Sequence, residues 1–314
     1  MRYHSFGSTG MEVSQLTLGT WGIGGAGWDS HPEDSRLDAI RAAIDCGVNF
    51  IDTAPAYNAG EAERYVGRTL HELGVRHEVY ISTKCGNEYI DGAYVRSCDS
   101  AKIRRQCEES LRNLRTDYID LYIIHWPDPK VPFGETMEVL NDLKKQGKIL
   151  HIGVSNFSRE QIEEAGQYGL IEGVQPQFSM VERGNEELMR WCAGQGMGVM
   201  AYGALGGGIL SGTYRELRTY PPADSRNRFY QQFKEPLFSR VQRLLTEMDA
   251  LSRQKGVPLS QLAINWCAQQ EFVSTCLVGA QSRKKVEENC ACFDWQLTAQ
   301  ERAFLDAAIE NCMN

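Results

Sequence analysis

Along the chain, short runs of aliphatic and β-branched residues recur between longer stretches in which apolar positions return every three or four residues. The short runs cover residues 15–18, 49–51, 78–82, 119–124, 150–154, 173–175, 198–201 and 275–278. Each has strand length, and together they make the eight strands of a closed parallel barrel. The longer stretches read as amphipathic helices. Leu37, Ile40, Ala43 and Ile44 share one face of 34–46, and Ile103, Cys107 and Leu111 share one face of 101–114, with Asp99 and Ser100 placed to cap the latter. Strands and helices alternate without a linker rich in Pro, Gly or Ser. The pattern therefore predicts an α/β fold, a (β/α)8 TIM barrel, as one domain over residues 1–314. Ahead of the first strand, 3–6 and 11–13 flank Gly7-Ser8-Thr9-Gly10, which predicts an N-terminal β-hairpin able to plug the bottom of the barrel. The least periodic stretch, 212–236, follows the seventh strand and is expected to form a long loop over the functional face.

Composition narrows the class. With 42% hydrophobic and 24% charged residues the chain has the material for a large core, which excludes a disordered or collagen-like protein. The 33 basic residues against 41 acidic ones give a net charge of −8, and no run of like charge forms an arm for nucleic acid or a membrane surface. No apolar run approaches the ~18 residues of a membrane span, and Met1-Arg2-Tyr3-His4 opens no signal region, so a cytoplasmic protein is expected. The ten cysteines scatter through apolar segments. Cys290 and Cys292 are the nearest pair, without a second pair or a nearby His, so reduced, mostly buried thiols and no metal are expected.

In such a barrel the reactive groups stand at the C-terminal ends of the strands. Asp52, Lys84 and His125 end the second, third and fourth strands, and Tyr57 lies in the loop after Asp52. An ammonium beside a phenol favours phenolate, so Lys84 is expected to lower the pKa of Tyr57 from about 10 towards neutrality, with Asp52 keeping Lys84 charged. An imidazole beside them can hydrogen-bond a carbonyl oxygen. The set suits reversible carbonyl reduction. Gly22-Ile23-Gly24-Gly25-Ala26-Gly27 matches the G-x-G-x-x-G phosphate turn, but Trp28-Asp29-Ser30-His31-Pro32 stands where the receiving helix should start, so it is read as a loop beside the substrate pocket.

Over essentially its whole length the sequence resembles the aldo-keto reductase family. The resemblance rests on Leu18-Gly19-Thr20-Trp21, on 50–57 with Gly60-Glu61-Ala62-Glu63, on Ser82-Thr83-Lys84, on 117–126, on Gly153-Val154-Ser155-Asn156-Phe157 and on Glu287-Glu288-Asn289. Within the family it is similar to the bacterial short-loop branch of broad-substrate reductases and sugar or inositol oxidoreductases. The resemblance implies Tyr57 as general acid and base, Lys84 and Asp52 as the pair that tunes it, and His125 as the group that orients the carbonyl. For the nicotinamide it implies Ser155, Asn156 and Gln175 on the carboxamide, Tyr202 stacked on the ring, and Thr20, Trp21 and Asp52 nearby. Gly203, Leu205, Gly207 and Gly208 are implied along the pyrophosphate, where this chain has Gly203-Ala204 in place of the commoner Ser-Pro. Gly279, Gln281, Lys285, Glu288 and Asn289 are implied around the adenosine, with Lys285 on a 2′-phosphate. NADP (NADPH) is thus the expected cofactor and NAD the alternative. Trp21, Tyr57, Asn87, Tyr89, His125 and Trp126 are expected around the substrate, with Trp28 and Tyr230 on the rim. The expected partner is a small carbonyl or alcohol compound, whose identity, like the oligomeric state, cannot be read from the sequence. Two other readings stay open: a redox-sensing or regulatory subunit with little turnover, and a NAD-dependent polyol or sugar dehydrogenase.

Overall fold

The computed structural model describes residues 1–25, 27–29, 31–90 and 93–313. In it the eight predicted strands close into a barrel: β1 (Leu16–Gly19), β2 (Phe50–Asp52), β3 (Tyr80–Cys85), β4 (Ile119–Ile124), β5 (Ile149–Ser155), β6 (Gly173–Gln175), β7 (Gly198–Tyr202) and β8 (Thr275–Gly279). Each is parallel to its successor, and β8 returns to pair with β1. The expected helices form at Glu33–Asp45 and Ser100–Leu114. Asp99 caps the second, its carboxylate accepting the Lys102 backbone N–H at 3.1 Å.

Successive strand residues point to opposite sides, which sorts the barrel interior by height. Phe50 lies below Asp52 on one side of β2, Leu121 and Ile123 lie below His125 along β4, and Met200 lies below Tyr202 on β7. The lower positions are apolar and the upper ones polar. Phe50, Leu121, Ile123 and Met200 pack with Phe6, Met11 and Val13 into one cluster, separate from the larger core between strands and helices. The last three come from the N-terminal hairpin, Tyr3–Ser5 paired antiparallel with Glu12–Ser14. Phe6 is fully buried with its ring edge-on to Phe50 at 5.6 Å. Gly198 makes room for it, because a Cβ there would come within 2.3 Å of the Phe6 ring. The hairpin does plug the barrel.

At the other end a second hairpin, Asn87–Ile90 with Ala93–Arg96, rises directly from β3. The sequence reading did not include it. The 212–236 stretch lies over the same end, as expected, but holds a short helix, Ser225–Phe229, and a helical turn, Gln231–Phe233. It is fixed by buried Arg226, which bonds both oxygens of Asp224, the Tyr214 hydroxyl at 2.7 Å and Asp29 at 3.1 Å. Nine of the ten cysteines are buried and Cys46 is half-buried. Among the described residues no helix is long and apolar enough to cross a membrane, and no cluster of ligand side chains is arranged to hold a metal ion.

Candidate active site

The upper ends of the strands surround a cleft of about 670 Å3. Its floor is built by register. Asp52 stands beside Ser82 in the β2–β3 pair, and Lys84, two residues on, shares Ser82's side of β3. Asp52 and Lys84 are each 1% exposed, and Lys84 Nζ donates to Asp52 Oδ1 at 2.6 Å and to the Thr53 carbonyl at 2.9 Å. The other carboxylate oxygen of Asp52 accepts from Ser82 Oγ and from Gln175 Nε2, both at 2.8 Å. The buried charges are thus paired and hydrogen-bonded, the condition under which such a pair is tolerated. The third donation of Lys84 goes upward to the Tyr57 hydroxyl at 3.1 Å.

Tyr57 and His125 face each other edge-on with ring centroids 6.0 Å apart, and both line the cleft. The expected lowering of the phenol pKa does not occur. Burial first, then the Asp52 carboxylate, push Tyr57 well above its ordinary value of 10. The physical reason is that the Lys84 ammonium is compensated by Asp52, so the phenol meets a closely spaced pair rather than a lone cation. Burial likewise draws Lys84 below its ordinary value, against the pull of Asp52. Enclosure, reinforced by the Lys84 charge, drives the His125 imidazole well below 6.5. Near neutral pH the site therefore holds a protonated phenol beside an uncharged imidazole.

One wall comes from β5, β6 and β7. Ser155 pairs in register with Gln175 and its hydroxyl donates to the Gln175 carbonyl at 2.7 Å. Asn156 sits at φ 60°, a left-handed conformation that Asn tolerates because its short amide bonds locally. That amide donates to the His125 carbonyl at 2.9 Å and accepts from the Tyr202 hydroxyl at 2.9 Å. Gln175 Oε1 has no protein partner among the described residues, which leaves an acceptor facing the cleft for an amide N–H. Gly203, Leu205, Gly207 and Gly208 continue this wall, the three glycines at positive φ. A Cβ at Gly207 would come within 2.8 Å of the Tyr230 ring, so only glycine fits there. The wall thus offers hydroxyl and amide groups beside the Tyr202 ring, followed by a glycine-lined turn.

Opposite, Thr20, Trp21 and Trp28 line the cleft, with Trp21 stacked near Tyr57 at 6.1 Å and edge-on to Trp28 at 5.2 Å. The G-x-G-x-x-G segment forms one helical turn, Trp21–Gly24, and then a loop along the cleft, not a phosphate-binding helix start. Its Ala26, and Ser30 beyond it, lie outside the described residues. Asn87, Trp126 and Tyr230 line the cleft as expected, whereas the side chain of Tyr89 lies outside the described residues. Gly279 and Gln281 form one edge, and the Gln281 amide donates to the Gly22 carbonyl at 2.7 Å and the Asp29 carbonyl at 3.0 Å.

Lys285, Glu288 and Asn289 do not line the cleft; they sit on the helix Arg283–Cys290 beyond that edge. Lys285 Nζ is 3.1 Å from both oxygens of Glu288, and Arg283 is held by Asp38 and Asp45 at 2.9 Å each. The sequence reading missed Tyr94, Arg96, Tyr214, Arg226, Arg228 and Phe229, all on the cleft wall. For the first two a signal existed, since 87–90 and 93–96 flank Asp91-Gly92, a dipeptide typical of two-residue hairpin turns.

The structure is thus a (β/α)8 barrel with a buried Lys–Asp pair under a phenol and an imidazole at the head of its cleft. Comparison with known proteins gives the family. The sequence profile of the aldo/keto reductase family matches residues 15–310. The aldo-keto reductase YhdN of Bacillus subtilis is 35% identical over 100% of this chain and 95% of its own length. The NADH-specific methylglyoxal reductase of Escherichia coli is 34% identical over 95% of each. Among solved structures, the glycerol dehydrogenase of Gluconobacter oxydans superposes with a TM-score of 0.90 at 33% identity, covering 99% of this chain and 96% of the other. The chain belongs to the aldo/keto reductase family and is a nicotinamide-dependent carbonyl-reducing enzyme.

Proposed function

We propose that the protein reduces a small aldehyde or ketone with NADPH, with Tyr57 giving the proton to the carbonyl oxygen. The observation that carries this is the chain of contacts from Asp52 through Lys84 to the Tyr57 hydroxyl, 2.6 Å and 3.1 Å, ending in the cleft. The cofactor, when bound, supplies the hydride. Its carboxamide would meet Ser155, Asn156 and the free acceptor of Gln175, with Tyr202 as the flat support for the ring and Gly203, Gly207 and Gly208 beside the phosphates. A phenol held well above 10 is fully protonated at working pH and ready to donate. As it gives up its proton, the oxygen it leaves charged is 3.1 Å from the Lys84 ammonium. His125, neutral, offers a ring N–H to the same carbonyl oxygen and fixes its direction. Trp21, Asn87 and Trp126 would enclose the rest of the substrate. NADPH over NADH rests on Lys285, whose exposed pairing with Glu288 exchanges cheaply for a phosphate; Arg283, committed to two aspartates, does not contribute. The same groups run the reverse reaction on an alcohol. Methylglyoxal and glycerol, from the names of the two relatives, set the size of molecule to try first.

The test is single-turnover NADPH oxidation by methylglyoxal, for wild type and Tyr57→Phe, between about pH 6 and about pH 9. The wild-type chemical step is expected to be flat over this range, because neither the raised phenol nor the lowered imidazole titrates within it. Tyr57→Phe should lose roughly 10²–10⁴ in rate with NADPH affinity retained. A near wild-type rate in the variant transfers the acid role to His125, and tight NADPH binding by the wild type with no turnover of any carbonyl gives a redox-sensing subunit instead.

A further inference from the structure

The rim of the cleft carries charge that the reduction itself does not use. Two routes lead outward from the reacting groups. From His125 the chain passes directly to Trp126, whose ring has the Arg96 guanidinium 5.3 Å from its centroid. From Tyr57 the stacked Trp21 leads to Phe229, edge-on at 5.2 Å, and the Arg228 guanidinium lies 5.8 Å from the Phe229 ring. The routes meet at Tyr94. Arg228 is 5.9 Å from the Tyr94 ring, and Tyr94 and Arg96, two residues apart on one strand, share a side. Asn87, opposite Arg96 in the hairpin, lines the cleft as well.

Arg96 and Arg228 both line the cleft, both are exposed, and neither has a carboxylate partner among the described residues. The third arginine on the cleft wall differs. Arg226, two residues from Arg228, is saturated by Asp224 and Asp29, and Glu88 on the first strand of the hairpin is taken by Arg105 on the neighbouring helix. In a chain of net charge −8, two guanidiniums without a carboxylate partner among the described residues give this aromatic mouth a local positive potential. Planar guanidiniums laid near aromatic rings keep their forked donors free for a carboxylate or phosphate. The glycine run at 206–208 has Val181, Tyr230 and Tyr214 as its nearest side chains beyond its own turn, so the cofactor's phosphate chain has a different lining.

We propose that Arg96 and Arg228 bind an anionic group, carboxylate or phosphate, at the end of the substrate remote from its carbonyl. The inference rests on the reductase reading and narrows its substrate class to oxo-acids or phosphorylated carbonyl compounds.

The experiment uses matched probes with the purified protein and NADPH: 4-oxobutanoate against butanal, and glyceraldehyde 3-phosphate against glyceraldehyde. The readout is the ratio of kcat/KM, anionic over neutral, in wild type and in Arg96→Gln/Arg228→Gln. In wild type at least one pair should show a ratio of about tenfold or more, and the pair that does identifies carboxylate or phosphate. In the double variant that ratio should fall by about tenfold or more, mostly through KM. Raising salt from about 50 mM to about 300 mM should shrink it in wild type only. The Lys/Lys variant, which keeps both charges without the fork, should retain an intermediate ratio. A wild-type ratio near one for both pairs overturns the proposal, as does a ratio that the double variant leaves unchanged, or a loss carried by weaker NADPH binding. Turnover of the neutral probes alone sinks this inference and leaves the reductase reading standing, whereas no turnover of any of the four removes that reading.

Discussion

The two ends of the barrel interior are made from the same strands and solve opposite problems. At the bottom, Phe50, Leu121 and Met200 close on Phe6 from the hairpin, and the cluster they form holds no charged group. Two residues higher, Asp52 sits on the side of β2 that Phe50 occupies, and two fully buried charges have to be satisfied. The lower end depends on shape alone, as the fit of Phe6 against Gly198 shows. The upper end depends on completeness, since Lys84 has three acceptors and Asp52 three donors: removing one member of the ion pair leaves the other charge buried and uncompensated, and removing a neutral partner leaves a buried polar group with one bond fewer. Damage at the bottom should therefore cost stability only, whereas damage at the top should cost stability and chemistry together.

The largest expected effect is at the top. Lys84→Met strands the Asp52 carboxylate and should destabilise the fold by about 3–5 kcal/mol, read as a lower urea midpoint, while the rate of carbonyl reduction falls by roughly 10²–10⁴. Adding Asp52→Asn to it should recover a large part of the stability and none of the rate. If the double variant regained its rate, the pair would be a packing device rather than part of the chemistry.

Phe6→Ala probes the other end. Emptying the plug should destabilise by about 3–5 kcal/mol, comparable to Lys84→Met, yet leave the turnover rate of the folded fraction within about twofold. A hundredfold rate loss on removing this ring would mean that the two ends are mechanically coupled and that the contrast is false.

The smallest effect is expected at the outer edge of the top end, where groups are exposed. Lys285→Ala removes one charge-assisted contact and should raise the dissociation constant of NADPH by about tenfold, roughly 1.5 kcal/mol, with that of NADH nearly unchanged and the melting temperature unmoved. Equal weakening of both cofactors would take Lys285 away from the 2′-phosphate.

How legible these regions were in the sequence follows the same division. The strands, the helices around Leu37 and Ile103, and the placement of Asp52, Lys84 and His125 at strand ends could be read directly, because period and burial are local properties of the chain. The plug was visible as a hairpin, but Phe6 as its tip was not, since what selects it is the absence of side chains at Gly173 and Gly198, far away in sequence. The hairpin at 87–96 had a turn signature and was overlooked. Arg226 and Phe229 had none, because the stretch that holds them is ordered by one buried guanidinium rather than by any repeating pattern.

What the sequence alone determined, then, is the barrel, the order of its strands and the identity of the four groups at its floor, all of which depend on spacing along one chain. The tertiary structure decided the charge state of those groups. Whether Lys84 lowers the Tyr57 phenol depends on how far Asp52 compensates it and how deeply all three are buried, and those are distances between separate strands. It decided in the same way which cations on this face have carboxylate partners: Arg283 is held by Asp38 and Asp45 and Arg226 by Asp29 together with its neighbour Asp224, whereas Arg96 and Arg228 face the cleft with no such partner among the described residues. Coulomb energies fall with separation in space and with exposure to water, neither of which is written in the order of residues.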